Sequence, residues 1–345
     1  MTSPKRDKPI TVLGIESSCD DSAAAIVTEN RQILANIVTS QLAEHQPYGG
    51  VVPEISSRSH LQNLPHTIRT AMDNAGASWD DITAIAVTAG PGLIGGVLVG
   101  SMMAKAIAAA LNKPIIAVNH LEGHALTARL TNDVQFPFIL LLVSGGHCQI
   151  LEALSVGHYR LLGQTVDDSI GETFDKVARG LGLGYPGGPA IERFARVGNP
   201  YKFDLPKPFS NDKGHCNFSL SGLKTAAKRL IDSIQPLTQQ DIADICASFQ
   251  ESIVQIIISR VEVAIKRRLS SSHENRLVIA GGVAANQSIR ARLSKHIEKH
   301  SYQLVAPPLN LCTDNAAMIA WVGVERLQLG LVDELTFQPR SRWAL

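Results

Sequence analysis

Along residues 10–27 an apolar run, a short polar turn and a second apolar run follow one another in "ITVLGIESSCDDSAAAIV". That order predicts a hairpin of buried strands. Residues 137–151, "PFILLLVSGGHCQIL", repeat the plan. Ser17 and Ser18 occupy the first turn, and Ser144, Gly145 and Gly146 the second. Such turns can present backbone N–H groups to an anion, and glycine lets the backbone approach closely. Two longer segments also match each other. "AIAVTAGPGLIGGVLVGSMMAKAIAAAL" (84–111) reads as strand, glycine turn and helix, and "RLVIAGGVAANQSIRARLSKHI" (276–297) gives the same order. One glycine turn alone is ordinary in an α/β fold, whereas several in duplicated positions point to a repeat. The pattern predicts two duplicated α/β domains facing each other across a cleft.

That arrangement resembles the superfamily of actin, hexokinase and the heat-shock ATPases (the ASKHA fold), in which nucleotide sits between the halves. The likeness constrains fold far more than function. At roughly 150 residues per domain, a chain of 345 residues suggests two. The expected division is 1–133 and 134–345, with the C-terminal helix packing back on the first domain and a helical insertion near 190–270. Within it, "DLPKPFSNDKGHCNFSLSG" (204–222) reads as a polar loop. Residues 236–270 read as amphipathic helices ending in a solvated basic run, Lys266, Arg267 and Arg268.

Composition narrows the class. An apolar fraction of 45% and a charged fraction of 18% describe a chain that buries a real core. A net charge of +1 gives no overall case for binding nucleic acid unaided. Cys19, Cys148, Cys216, Cys246 and Cys312 are scattered without a CxxC pair, which speaks against a disulfide framework or cysteine zinc site and for a reducing compartment. The polar N-terminus "MTSPKRDKP" lacks the apolar core of a signal peptide. Residues 82–104 carry no charge, but Pro91 and the glycines around it fit a strand, a turn and a buried helix. The expectation is a soluble cytoplasmic protein with no membrane association.

"NHLEGH" (119–124) holds the most suggestive chemistry. His120 and His124 stand four residues apart and share one helix face, so they can share a metal. Glu122 sits about 200° around the helix from His120, unlike the base of the zinc-peptidase pattern HExxH, which follows its first histidine directly. An i, i+4 pair also arises by chance among 11 histidines. Asp314 in "LCTDNAAMIAWVG", at the head of a buried helical pattern, is either a third ligand or an N-cap. Two histidines and one aspartate leave open positions suited to iron(II) or zinc. His147, in the "SGGH" turn, ranks as a substrate contact.

The quoted stretches, together with "YGGVVPEISSRSH" (48–60), "GETFDKVARGLGLGYPGGP" (171–189) and "FSLSGLKTA" (218–226), resemble the TsaD family of tRNA adenosine threonylcarbamoyltransferases over nearly the whole chain. "ESSCDDS" stands where that family more often has "ETSCDET", and "GGVLVG" where "GALLVG" is usual. The short N-terminus looks like the bacterial branch. The resemblance implies transfer of a threonylcarbamoyl group from threonylcarbamoyl-AMP to the exocyclic amine of the adenosine just 3′ of the anticodon, in tRNAs reading codons that begin with A. It implies His120, His124 and Asp314 as ligands of one divalent metal, iron(II) with zinc as the alternative. Val143, Ser144, Gly145, Gly146, His147, Asp175, Gly188 and Asn286 would hold the adenylate, with ATP or ADP able to occupy the same cleft. Glu16 is expected near the attacking amine as proton acceptor or orienter, or else as a structural turn carboxylate. The implied partners are tRNA, a catalytically inactive paralogue of the same fold and a small ATPase. "QPRSRWAL" at the C-terminus, with Arg340 and Arg342, reads either as phosphate contacts or as a solvated tail. Three rivals remain: a kinase or ATPase of the same superfamily, disfavoured because paired histidines have no evident role there; a metallopeptidase; and a non-enzymatic nucleotide-binding scaffold.

Overall fold

A computed structural model describes residues 9–268 and 275–345. The "MTSPKRDK" part of the N-terminal stretch lies outside the described residues. In chain order the main elements begin with β1 (Thr11–Glu16), β2 (Asp21–Thr28), β3 (Ile33–Ser40), α1 (Leu42–His45) and α2 (Pro53–Ala75). They continue with β4 (Ala84–Gly90), α3 (Ile94–Leu111), β5 (Ile115–Asn119) and α4 (His120–Asn132). The second series is β6 (Phe138–Val143), β7 (Cys148–Ser155), β8 (His158–Gln164), α5 (Ile170–Gly180), α6 (Gly187–Ala195), α7 (Ser221–Ser233) and α8 (Gln239–Arg267). It ends with β9 (Arg276–Ala280), α9 (Gln287–Ile297), β10 (Gln303–Val305) and α10 (Ala316–Gln328).

The chain forms two compact units, Met1–Thr131 with Asp314–Leu345, and Asn132–Thr313. The division falls at 131/132, beside the expected 133/134, and the segment from Asp314 onward, which contains the C-terminal helix expected to pack back, groups with the first unit.

Each unit carries one five-stranded sheet, ordered β3-β2-β1-β4-β5 and β10-β9-β6-β7-β8. Reversed, the second order matches the first strand for strand. In each, a hairpin opens the sheet: β1 pairs antiparallel with β2, and β6 with β7. The hairpin's first strand then pairs in parallel with the later strand, β1 with β4 and β6 with β9. The strand–turn–helix units resolve as β4 then α3, and β9 then α9, the latter after a 3-10 turn at Gly282–Ala285. Strands β1, β4, β5 and β6 are mostly apolar because both faces are covered; every residue of the four is buried.

In the first unit α10 lies on the sheet, and Gly14 of β1 makes that closeness possible. A Cβ there would stand 2.4 Å from the Ala316 carbonyl oxygen and 2.5 Å from the Ala320 nitrogen. In the second unit, residues 236–268 give one long helix rather than several, and the remaining two residues of that expected helical stretch, 269 and 270, lie outside the described residues. Thr238 starts α8 with a capping box, and the helix is buried along most of its length. α3 and α8 are the described helices long and apolar enough to cross a membrane. α8 is 89% buried within its most apolar window, as a core helix is.

In the basic run at the end of α8, Lys266 and Arg267 are exposed, as a solvated face is, but the Arg268 side chain is buried. Arg268 donates to the Pro137 carbonyl at 2.9 Å and lies 3.5 Å from Glu152 of β7, while Arg267 donates to the Gly214 carbonyl. α8 stops at Arg267, and the turn carries the next guanidinium toward a buried carboxylate that requires a partner. None of the five cysteines is in a disulfide.

Candidate functional site

In the first unit β1 ends at Glu16, β5 leads directly into α4 at His120, and α10 begins one residue after Asn315. These ends bring His120, His124 and Asp314 together. His120 Nε2 lies 3.4 Å from Asp314 Oδ1, and His124 Nε2 3.1 Å from the same oxygen. The rings meet edge-on with centroids 4.7 Å apart. One possible donor atom from each of the three lies within 4.8 Å of the others. Ligand atoms bound to one tetrahedral zinc by bonds near 2.0–2.1 Å stand about 3.3 Å apart, close to both observed separations. The donor set therefore fits a divalent cation.

Asp314 is free for this role because Asn315 takes the cap: its side chain accepts from the Met318 N–H at 3.1 Å. The capping reading of Asp314 is thus corrected by one position. Glu122 points elsewhere, 3.7 Å from Arg326 of α10, which leaves the peptidase pattern without its base.

Glu16 is fully buried and its carboxylate is committed. Oε1 accepts the Ser18 N–H at 2.5 Å; Oε2 accepts the Thr88 hydroxyl at 2.5 Å and lies 2.9 Å from His120 Nδ1. Ser18 Oγ stands 3.1 Å from the same Nδ1. A carboxylate on the far nitrogen of a metal-ligating imidazole fixes its orientation and tautomer. The geometry places Glu16 as an orienter of the His120 ring, which is nearer to the structural alternative given for it than to a proton acceptor beside the amine. His124 Nδ1, by contrast, is buried without a hydrogen-bond partner among the described residues.

Charge couples the cluster. Burial would raise the Glu16 and Asp314 carboxyls, but the adjacent histidines outweigh it and hold both below the usual carboxylate range. Burial would lower His120, but the two carboxylates hold it well above its ordinary value.

A second site lies in the second unit. A pocket of about 260 Å³ is lined by Gly145, Phe174, Asp175, Gly188, Glu192 and Asn286, among others. It combines apolar walls with a few carboxylates and an amide, the usual make-up of a small-molecule site. α5, capped by Ser169, presents Phe174 and Asp175, and α6 starts opposite. Asp175 Oδ1 accepts the Gly187 N–H at 2.7 Å and ties the two helices together.

The adenylate residues expected from sequence divide here. Gly145, Asp175, Gly188 and Asn286 line the pocket; Val143, Ser144, Gly146 and His147 do not. Val143 is the last residue of β6 and wholly buried, so its side chain belongs to the core. Ser144 shapes the turn: its N–H donates to the His147 carbonyl at 2.8 Å, and its hydroxyl accepts the His147 N–H at 3.1 Å. The Asn286 oxygen caps α9 by accepting from Ile289 N–H, and its amide donates to Gln250 at 2.8 Å. Asn286 therefore fixes the pocket wall more than it offers itself to a ligand. Glu192 was missed; it stands one helical turn after Gly188, a spacing that a helix over 187–195 would have exposed.

The backbone of the C-terminal tail is held against the first unit, while the side chains of Arg340 and Arg342 are exposed. Arg340 N–H donates to the Ala89 carbonyl at 2.8 Å, Gly92 N–H donates to the Ser341 carbonyl at 3.3 Å, and the Asn119 amide reaches the Trp343 and Ala344 carbonyls at 3.3 Å. Asn119 immediately precedes His120.

A family model described as tRNA N6-adenosine threonylcarbamoyltransferase matches residues 32–321. A protein of that name from Rickettsia bellii is 55% identical over 336 residues, covering 97% of this chain and 98% of its own. Another from Paramagnetospirillum magneticum is 55% identical over 336 residues, covering 97% and 96%. Among solved structures, full-length HypF in its phosphate- and nucleotide-bound form aligns with 94% of this chain and 47% of its own, at a TM-score of 0.59 and 12% identity. The activator of 2-hydroxyisocaproyl-CoA dehydratase from Clostridium difficile, with bound ADPNP, aligns over 93% and 97% at a TM-score of 0.53 and 16% identity. These two share the fold.

Proposed function

We infer the course of the reaction from one premise: this chain belongs to the tRNA N6-adenosine threonylcarbamoyltransferase family. It is an acyltransferase that modifies tRNA. Within that activity, we propose threonylcarbamoyl-AMP as donor and the exocyclic amine of the adenosine 3′ of the anticodon as acceptor. A carbon–nitrogen bond forms at the carbamoyl carbon, the carbon–oxygen bond to the phosphate breaks, and AMP leaves with the electron pair. The amine's proton passes to solvent or to the departing phosphate.

His120, His124 and Asp314 hold the metal in this reading, iron(II) or zinc by donor type. The bound metal supplies Lewis-acid polarisation of a carbamoyl or carboxylate oxygen. The protein's own share is orientation, since the donor arrives activated. Glu16 holds the His120 ring, and Asn119 starts α4 by accepting the Leu121 N–H at 2.9 Å. In the second unit, Asp175 and Glu192 accept from ribose hydroxyls while Phe174 offers an apolar surface. Gly188 admits close approach, having no heavy atom within 4 Å of where its Cβ would lie. ATP or ADP fits the same pocket chemistry.

A chain of net charge +1 does not gather tRNA by bulk attraction. This supports action beside partner proteins, an inactive paralogue of the same fold and a small ATPase, in the cytoplasm. The observation that carries the reading is the convergence of two imidazole nitrogens on one carboxylate oxygen at 3.4 and 3.1 Å.

The test is transfer in vitro with the partners, the adenylate-forming synthase, labelled threonine, bicarbonate, ATP and unmodified tRNA. Label should enter tRNA, fall to background with His120→Ala, and fall with raised donor KM for Asp175→Ala. No labelled tRNA while every other component is active would overturn the donor and acceptor assigned.

A further inference from the structure

We propose that Glu262, His296 and His300 form a second metal site, on the surface of the second unit, that takes zinc and clips α9 to α8. His296 lies in the last turn of α9, and His300 ends the 3-10 turn Glu298–His300 that continues it. Four residues apart, the rings face the same way, with centroids separated by 5.8 Å. Glu262, on α8, meets both. Its Oε1 lies 2.6 Å from His296 Nε2 and 3.8 Å from His300 Nε2.

The ligand atoms of the three lie within 4.8 Å of one another. A tetrahedral zinc spaces its ligand atoms about 3.3 Å apart, a value between the two distances to Oε1. Small side-chain rotations therefore close the site. There is room for them, since the side chains of Glu262, His296 and His300 are 24%, 24% and 32% exposed. Two imidazoles and a carboxylate suit zinc, and the exposure leaves a fourth position to water.

The surroundings favour a cation. The site sits at the C-terminal end of α9, where the helix dipole is negative. Lys213 Nζ is the opposing charge, 3.8 Å from Oε2, the other carboxylate oxygen; Oε1 is left to the histidines. The site shares its donor types with His120, His124 and Asp314 but none of their residues, and nothing in threonylcarbamoyl transfer calls for it. Its role is to fix the end of α9, the helix that Asn286 starts at the pocket wall.

The experiment uses the full chain, stripped with a chelator and titrated with zinc alone, with bound zinc counted per chain. His300→Ala and Glu262→Gln should each bind one zinc fewer than the parent and lose part of the zinc-induced rise in thermal midpoint. Both should keep the parent circular dichroism and transfer rate. The remaining pair should bind more weakly by more than the roughly 10–100-fold that loss of a second-shell partner costs. His120→Ala should subtract its zinc independently, so that the double variant lacks both. A His300→Ala chain that keeps the parent's zinc count and midpoint shift would overturn the proposal, whatever becomes of transfer.

Discussion

Glu16→Gln separates an orienting carboxylate from a catalytic base. The replacement is nearly isosteric, but its amide has a donor end and an acceptor end. The Ser18 N–H is a fixed backbone donor 2.5 Å from Oε1, so the amide oxygen must take that position. The NH2 group then occupies the place of Oε2, facing the Thr88 hydroxyl and His120 Nδ1. Thr88 can rotate and accept. His120 can accept only as the tautomer with its proton on Nε2, the nitrogen aimed at Asp314. That tautomer has no lone pair for a metal. Loss of a second-shell partner costs about 10–100-fold in metal affinity, or roughly 1.4–2.8 kcal/mol at 1.4 kcal/mol per decade. The measurement is zinc affinity by chelator competition, in a His300→Ala background so that one site is read, alongside the transfer rate at saturating metal. The expected result is weakened metal binding, with transfer largely restored when metal is raised. Unchanged affinity together with a transfer rate that excess metal does not restore would refute the reasoning and return Glu16 to the substrate.

Three further outcomes follow from the same geometry. In metal-free protein, Glu16 and Asp314 titrate below their unfolded values, so their contribution is present above about pH 4 and lost as pH falls further; His120 titrates above its unfolded value of about 6.5, so its contribution is full below that pH and lost as pH rises through the folded value. Chelator-treated protein should therefore lose thermal stability on the alkaline side, while metal affinity rises with pH as His120 yields its proton; a pH-independent affinity would contradict this. Gly14→Ala places a methyl 2.4 Å from the Ala316 carbonyl and should cost about 1–3 kcal/mol in urea unfolding, weakening metal binding because α10 carries Asp314 at its head; an unchanged midpoint would count against the packing described. Removing residues 340–345 deletes the hydrogen bonds to Ala89, Gly92 and Asn119, and at the low end of about 0.5–1.5 kcal/mol each should lower stability by about 2 kcal/mol, read as a fall in Tm.

The sheets were legible because their signals are local. "ITVLGIESSCDDSAAAIV" and "PFILLLVSGGHCQIL" each fold as a hairpin, since an apolar run long enough for a strand and a turn of small residues leave few alternatives. The histidine pair was legible from spacing, and Asp314 from the resemblance. What escaped depends on separations of many residues or on choices between neighbours. Glu16 and His120 lie 104 residues apart, and nothing in either segment announces the bond. "TDN" offers two side chains able to cap, and only packing decides that Asn315 does so. Arg268 looks like a solvated helix end until Glu152, on a strand more than a hundred residues earlier, becomes its partner.

The duplication gives the last helix a counterpart in the first repeat. In the first repeat the order is three antiparallel strands, helices, β4, α3, β5 and a closing helix, α4; in the second it is the same three strands, helices, β9, α9, β10 and α10. α4 and α10 are therefore equivalent closing helices, yet both belong to the first unit. His120 is the first residue of one, and Asp314 stands two residues before the other. The proposed metal ligands thus come from corresponding helix starts of the two repeats, brought together because α10 packs on β1 at Gly14. A duplicated chain that returned its closing helix to its own sheet would retain both hairpins and the pocket of the second unit but would have no third ligand. The placement of α10, more than any single residue, assembles the proposed metal site, and Gly14→Ala is the smallest change that tests it.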